Sequence, residues 1–123
     1  MKILLTIFVF LFSSSVVAEV YKCRDVNSYG RYSNGDVTDF GYQNFLITIF
    51  PNMVDLYDEK IEISSELQIF ENNNNLLIAI EINTTDGSFS YLNLDKKENK
   101  FINMSNDFLY GETIYHGFCY KQG

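Results

Sequence analysis

Histidine and proline occur once each in this 123-residue chain, cysteine twice and tryptophan never. Cations are scarce as well, nine Lys and Arg against 16 Asp and Glu, for a formal charge of −7. A surface this acidic repels the phosphates of nucleic acid and of anionic membranes, which disfavours both as partners and favours cationic ones. One histidine, His116, and two cysteines without a Cys-x-x-Cys spacing give no support to a metal site. There is no glycine-rich phosphate loop, no Gly-x-Ser-x-Gly turn, no internal repeat and no low-complexity linker. No cofactor, no metal and no catalytic residue are expected.

Long apolar runs are missing too, except at the start. Met1 and Lys2 supply a short positive segment, residues 3–12 are apolar apart from Thr6, and Val16-Val17-Ala18 has the small-residue spacing of a signal-peptidase site. A spanning helix needs about 20 predominantly apolar residues, and Ser13, Ser14 and Ser15 interrupt this run after ten. Residues 1–18 therefore read as a cleaved export signal, with no membrane insertion after cleavage, and residues 19–123 as one domain. Loss of Lys2 makes the mature chain one unit more negative than −7. The expected location is periplasmic or secreted.

In an oxidising compartment an even pair of cysteines in a small domain is most simply a disulfide. Cys23 and Cys119 sit four residues inside the two mature ends. A bond between them requires the first and last strands to be neighbours or to face each other.

Between the cysteines the recurring pattern is alternation at period two, bounded by turn residues, as in an antiparallel sheet. Phe45, Ile47 and Ile49 make one apolar face, and Val54 with Leu56 another. Ile61 and Ile63 alternate with Lys60, Glu62 and Ser64. Leu76, Ile78, Ile80 and Ile82 form the longest single-face run, opposite Leu77, Ala79, Glu81 and Asn83. Phe89 and Tyr91 oppose Leu92 and Leu94. Residues 20–23, 101–104 and 114–120 bring the total to about eight strands. Asp58-Glu59, residues 72–75, Asp86-Gly87 and residues 95–100 have turn chemistry, and Pro51 falls between two strand candidates, where its missing N–H is harmless. A helix competes only over residues 64–71, where Leu67 and Phe70 share a helical face.

An all-β antiparallel meander with tied ends is most economically closed as a small barrel, because closure removes exposed edges. A two-sheet sandwich is the alternative. Strands of five to seven residues would leave an eight-stranded interior filled by its own side chains, with room at most for one small ligand.

The ends, Tyr21-Lys22-Cys23 and Gly117-Phe118-Cys119, resemble those of small exported bacterial β proteins. The layout is also similar to the periplasmic inhibitors of c-type lysozyme, which are compact β-barrels. Those inhibitors use a Ser-Gly-x-x-Tyr loop, and the nearest stretch here, Ser88-Phe89-Ser90-Tyr91, lacks its glycine and spacing. The resemblance therefore implies fold and compartment and transfers no functional residue.

The expected function is an exported non-enzymatic binding module, an inhibitor or immunity factor whose partner is a protein, cationic if any. The alternatives are a small cell-wall hydrolase using His116 with a carboxylate such as Glu112, and a small-ligand carrier. Residues 24–40 form the longest stretch without strand alternation, and loops of that length are usually functional or disordered. They hold both arginines of the chain, Arg24 and Arg31, and Tyr29, Arg31 and Tyr32 fall at the centre. Arginine and tyrosine dominate interface hot spots, so Arg24, Tyr29, Arg31 and Tyr32 are the candidate binding residues. Two acidic groupings compete with the bland reading of solvated turns. Asp55, Asp58, Glu59, Glu62 and Glu66 could pair for glycoside hydrolysis, and Asn34, Asp36 and Asp39 offer oxygens at near-calcium spacing without the closing glutamate.

Overall fold

Alternation at period two within residues 45–49, 53–58, 76–82 and 89–95 builds strands with one face turned inward. A computed structural model describes residues 18–32, 34–107 and 111–123, so the expected export segment lies, apart from Ala18, outside the described residues. The strands are β1 Glu19–Arg31, β2 Val37–Ile49, β3 Met53–Asp58, β4 Ile63–Asn72, β5 Leu76–Ile82, β6 Phe89–Asp95, β7 Lys100–Asp107 and β8 Gly111–Lys121. Each pairs antiparallel with the next, and β8 returns to β1, closing an eight-stranded barrel. Barrel rather than sandwich is the architecture. No helix among the described residues is long and apolar enough to cross a membrane.

Cys23 lies directly opposite Cys119 in the β1–β8 ladder, and the two are bonded with Cα atoms 4.0 Å apart. The disulfide thus staples the seam where the first strand meets the last. A bonded pair is compatible with an oxidising compartment.

Three expectations need correction. Residues 64–71 belong to β4, not to a helix; the inward Leu67 is buried while Phe70 is exposed at a bulge in the pairing with β5. Ile61 sits in the β3–β4 turn, closed by Glu62 N–H donating to the Asp58 carbonyl at 2.8 Å. Residues 24–40 are not a loop: β1 runs on to Arg31, β2 starts at Val37, and only the turn between them is irregular. Its alternation is hidden by two register shifts, one between Cys23 and Val26 and one between Ser28 and Tyr29. A bulge slips the side-chain phase by one. The inward positions beyond the first shift are Val26, Ser28 and Gly30, and a Cβ on Gly30 would overlap the Phe40 ring. A polar residue and a glycine at inward sites leave no hydrophobic signal to read.

These extensions make β1 and β2 each 13 residues long, well beyond the expected five to seven. The core fills the half of the barrel nearer the chain ends. Tyr21, Phe45, Ile47, Leu56, Leu67, Leu77, Leu92, Leu94 and Phe101 are buried there, with Phe45 tilted against Phe101 at 5.7 Å between ring centroids. Lys96 closes this terminal end: its Nζ reaches the Asn72 side-chain oxygen at 2.6 Å, the Asn73 carbonyl at 2.8 Å and Glu19 at 3.4 Å.

The outward face of β7, β8 and β1 is ordered in four cross-strand rows. From the turn end downward they are Asn106, Glu112 and Arg31; Met104, Ile114 and Tyr29; Ile102, His116 and Asn27; and Lys100, Phe118 and Arg24. Ile102, Met104, Ile114, Phe118 and Tyr29 are all exposed.

Candidate functional site

Toward the end where β1 turns into β2, β3 into β4 and β5 into β6, the barrel interior changes character. Following the inward positions upward, apolar side chains give way on strand after strand. Phe45 is followed by Gln43, Leu56 by Asp58, Ala79 by Glu81, Leu92 by Ser90, and Phe101 by Asn103. Asn103 is satisfied within this layer, donating to Ser90 Oγ at 3.0 Å and to the Tyr91 carbonyl at 2.9 Å. Ser28 donates to the Gly41 carbonyl at 3.2 Å. Gln43 Oε1 is buried and has no hydrogen-bond partner among the described residues. Buried polar atoms are normally paired, so an orphaned acceptor marks a place where a donor is wanted.

Asp58 is only 7% exposed, and its Oδ1 accepts from the Lys60 N–H at 2.9 Å. No cation among the described residues pairs with it; the ion pairs found there join Glu19 to Lys96 and Lys121 at the other end. Across the lumen from Phe45 stands Tyr115, with its ring edge-on at 5.1 Å. Burial pushes the Tyr115 hydroxyl above its ordinary range, and the Asp58 charge adds to the effect. The fold therefore favours the protonated phenol. Below pH 10, where an unfolded tyrosine is also neutral, this group makes no pH-dependent difference to stability. As pH rises past that value the unfolded chain ionises first, and stability falls until the folded phenol ionises too. Urea unfolding between pH 9 and 12 should show this slope, and Tyr115→Phe should reduce it; an unchanged slope would assign the alkaline loss elsewhere.

The charges are segregated as strongly as the interior. Of the eight Lys and Arg beyond residue 18, only Arg31 and Lys60 belong to the turn end, and the other six lie toward the chain ends. The turn end carries Asp36 and Asp39 from the first hairpin, Asp58, Glu59 and Glu62 from the second, Glu81 and Asp86 from the third, and Glu112 at the start of β8. A depression of about 220 Å³ opens on this rim, lined among others by Glu81, Asn83, Ser88, Ser90 and Ser105. Hydrogen bonding from Ser88 holds the Asp86 carboxyl below its usual range.

Three of the four candidate binding residues stand at the same end. Tyr29 and Arg31 point outward from β1 and, with Gly30, Val37, Glu112 and Ile114, line a second depression of about 100 Å³. Tyr32 meets the Phe40 ring edge-on at 6.5 Å, beside the Gly30 site that Phe40 covers. Arg24 is separated from them by the β1 bulge and lies opposite Phe118, near the terminal end.

The competing chemistries fare differently. His116 is on the outward face, where it stacks on Tyr29 with 5.8 Å between centroids, and Glu112 occupies the same face four residues earlier on β8. Asp55 projects outward opposite Glu66, whereas Asp58 projects inward, so the acidic hairpin divides between two sides of the wall. Asn34 Oδ1 accepts from the Asp36 N–H at 3.0 Å, and Asp39 Oδ1 from the Gly41 N–H at 2.7 Å. Those oxygens serve as turn acceptors. No group of three His, Cys, Asp or Glu among the described residues is arranged to hold a metal. The inward polar layer had a sequence signal, a polar residue two positions beyond each apolar run, but it is visible only once the inward face is known. Comparison with protein-family models, with curated proteins and with solved structures finds no match for this chain.

Proposed function

We propose that the protein is an exported, non-enzymatic binding module whose turn end receives a cationic protein, so that it acts as an inhibitor or immunity factor against a cationic hydrolase or toxin. The observation that carries this reading is the segregation of charge: eight carboxylates and two cations at one end of a barrel whose other cations are gathered at the opposite end. Such a dipole orients an approaching cationic surface before contact and raises its rate of capture. Tyr29, Arg31 and Tyr32 flank the acidic rim and supply the large, directional side chains that anchor interfaces. Export is supported by residues 1–18 as a signal and by the disulfide.

The test uses defined cationic hydrolases, a c-type lysozyme and a cell-wall amidase, with lysis of cell walls as the readout. Inhibition near stoichiometric ratio is expected for a cognate enzyme, with an association rate that falls as salt is raised. The triple variant Asp36→Lys, Glu59→Lys, Glu62→Lys should keep its melting temperature and associate on the order of tenfold more slowly or worse. Asp95→Lys, at the terminal end, should change little. Unaltered lysis by both enzymes, together with no salt-sensitive partner recovered from periplasm or culture fluid, would count against the reading.

A further inference from the structure

We infer that the open mouth of the barrel between β5, β6 and β7 is a binding site for a primary alkylammonium group. Glu81, Ser90 and Ser105 stand side by side on these strands in one inward cross-strand row. With Asn83 and Ser88 they line the depression of about 220 Å³, and the exposed Phe89 ring edges it. At about 30 Å³ per water this space holds roughly seven waters, or one short alkyl chain in their place. Hydroxyl and amide groups surround a single carboxylate there, and no Lys or Arg among the described residues pairs with Glu81.

The inward layer around this mouth is short of donors and of positive charge. Asn103, one inward step deeper than Ser105, spends both N–H groups on Ser90 Oγ and the Tyr91 carbonyl. Gln43 Oε1 is buried without a partner. Turning its amide over would not cure this, because the neighbouring Ser28 hydroxyl already gives its one proton to the Gly41 carbonyl. Asp58, inward and 7% exposed, has no cation among the described residues either. A buried carboxylate without a counter-charge weighs against folding, and two inward carboxylates behind low-dielectric walls focus negative potential at the opening. A ligand that brings both charge and N–H groups fits this shortage. A metal ion brings charge alone, and no three His, Cys, Asp or Glu among the described residues are arranged to hold one. An ammonium carries three N–H donors around one charge, enough for Glu81 and two hydroxyl oxygens beside it. Guanidinium is a planar fork suited to the paired oxygens of one carboxylate, whereas these acceptors are spread over three strands. The alkyl stem then lies against Phe89. Such a group has two sources, a free amine or a lysine of the protein that the turn end receives. A free amine binds without any partner, so this inference does not rest on the inhibitor reading.

Titration of the isotope-labelled, disulfide-bonded protein with n-butylamine, at constant pH and ionic strength, should shift the NMR amide signals of Asn83, Ser90 and Asn106 with a dissociation constant on the order of 1 mM. Butyltrimethylammonium has the same charge and no N–H, and should bind about tenfold more weakly or worse. Glu81→Gln should weaken butylamine about tenfold, while Glu66→Gln, outward on β4, should leave it unchanged. Asp58→Asn should weaken it about threefold through the lost field. The same variant should keep or raise its melting temperature, because the amide oxygen can still accept the Lys60 N–H and the buried charge is gone. The tripeptide Gly-Lys-Gly separates the sources: binding like butylamine assigns the site to a protein lysine, and butylamine binding without the tripeptide assigns it to a free amine. No shift up to about 100 mM butylamine overturns the inference. So does equal binding of the quaternary analogue, undiminished binding by Glu81→Gln, or a melting temperature more than about 5 °C lower in Asp58→Asn.

Discussion

Reducing the Cys23–Cys119 bond should lower the melting temperature by on the order of 20 °C. The cross-link joins residues 96 positions apart, and chain-entropy treatment of a loop that long gives about 4–5 kcal/mol. In a domain of about 100 residues each kcal/mol moves the midpoint by about 4–8 °C. The full product is an upper figure, because the reduced unfolded chain keeps some structure of its own. The native site adds little to relieve the loss. Both cysteines are fully buried, so the reduced form must hold two thiols against each other in a packed layer. Calorimetry with and without reductant gives the measurement, and the double variant Cys23→Ala, Cys119→Ala should melt close to the reduced protein. A shift below about 5 °C would mean that the β1–β8 ladder closes the barrel unaided.

That ladder was only partly legible. Pairing of the first and last strands follows from the cysteines, since a bond between positions 23 and 119 allows few other arrangements. Strands over residues 45–49, 54–56, 76–80 and 89–94 were also plain, because apolar side chains recur there at every second position. The upper halves of β1 and β2 were not. A bulge between Arg24 and Val26 and another at Phe40 break the period, and Gly30 takes an inward place so that the Phe40 ring can cover it. Those local devices trade hydrophobic signal for shape.

The direction of each face was the second thing alternation could not settle. On β5 the run Leu76, Ile78, Ile80, Ile82 is more apolar than Leu77 and Ala79, yet Leu77 and Ala79 face the core and Ile82 is largely exposed. On β8 the inward positions are Tyr115, Gly117 and Cys119, while Ile114, Phe118 and Tyr120 face out. The interior of an eight-stranded barrel is just wide enough for side chains to fill, so small residues on one wall leave space for Phe45, Leu92 and Phe101 from the others. A Cβ on Gly117 would sit 3.1 Å from the Val26 Cα, which shows how little room that wall has. The apolar surplus then emerges on the outer face, and the polar side chains that close each inward run gather at the turn end.

The same tight interior makes Phe101→Ala the most damaging single side-chain change expected. Phe101 is 1% exposed and packs against Phe45, whose other neighbour, Tyr115, links this layer to the polar one above. Truncation of a buried phenylalanine costs about 3–5 kcal/mol, part from lost transfer energy and part from the cavity left behind. Collapse into the gap is hindered because closed strands cannot slide independently and Phe101 lies opposite Gly117, two residues from the disulfide. The loss should therefore fall in the upper part of that range, a fall in melting temperature of about 15–30 °C. Phe101→Leu should recover most of it by refilling the volume. An apolar cavity of this origin stays dry and accepts benzene or xenon, so benzene should raise the melting temperature of the Ala variant and leave the native protein unchanged. Stabilisation of the native protein by benzene would instead reveal a cavity that its own side chains do not fill, and would favour the small-ligand carrier over the binding module.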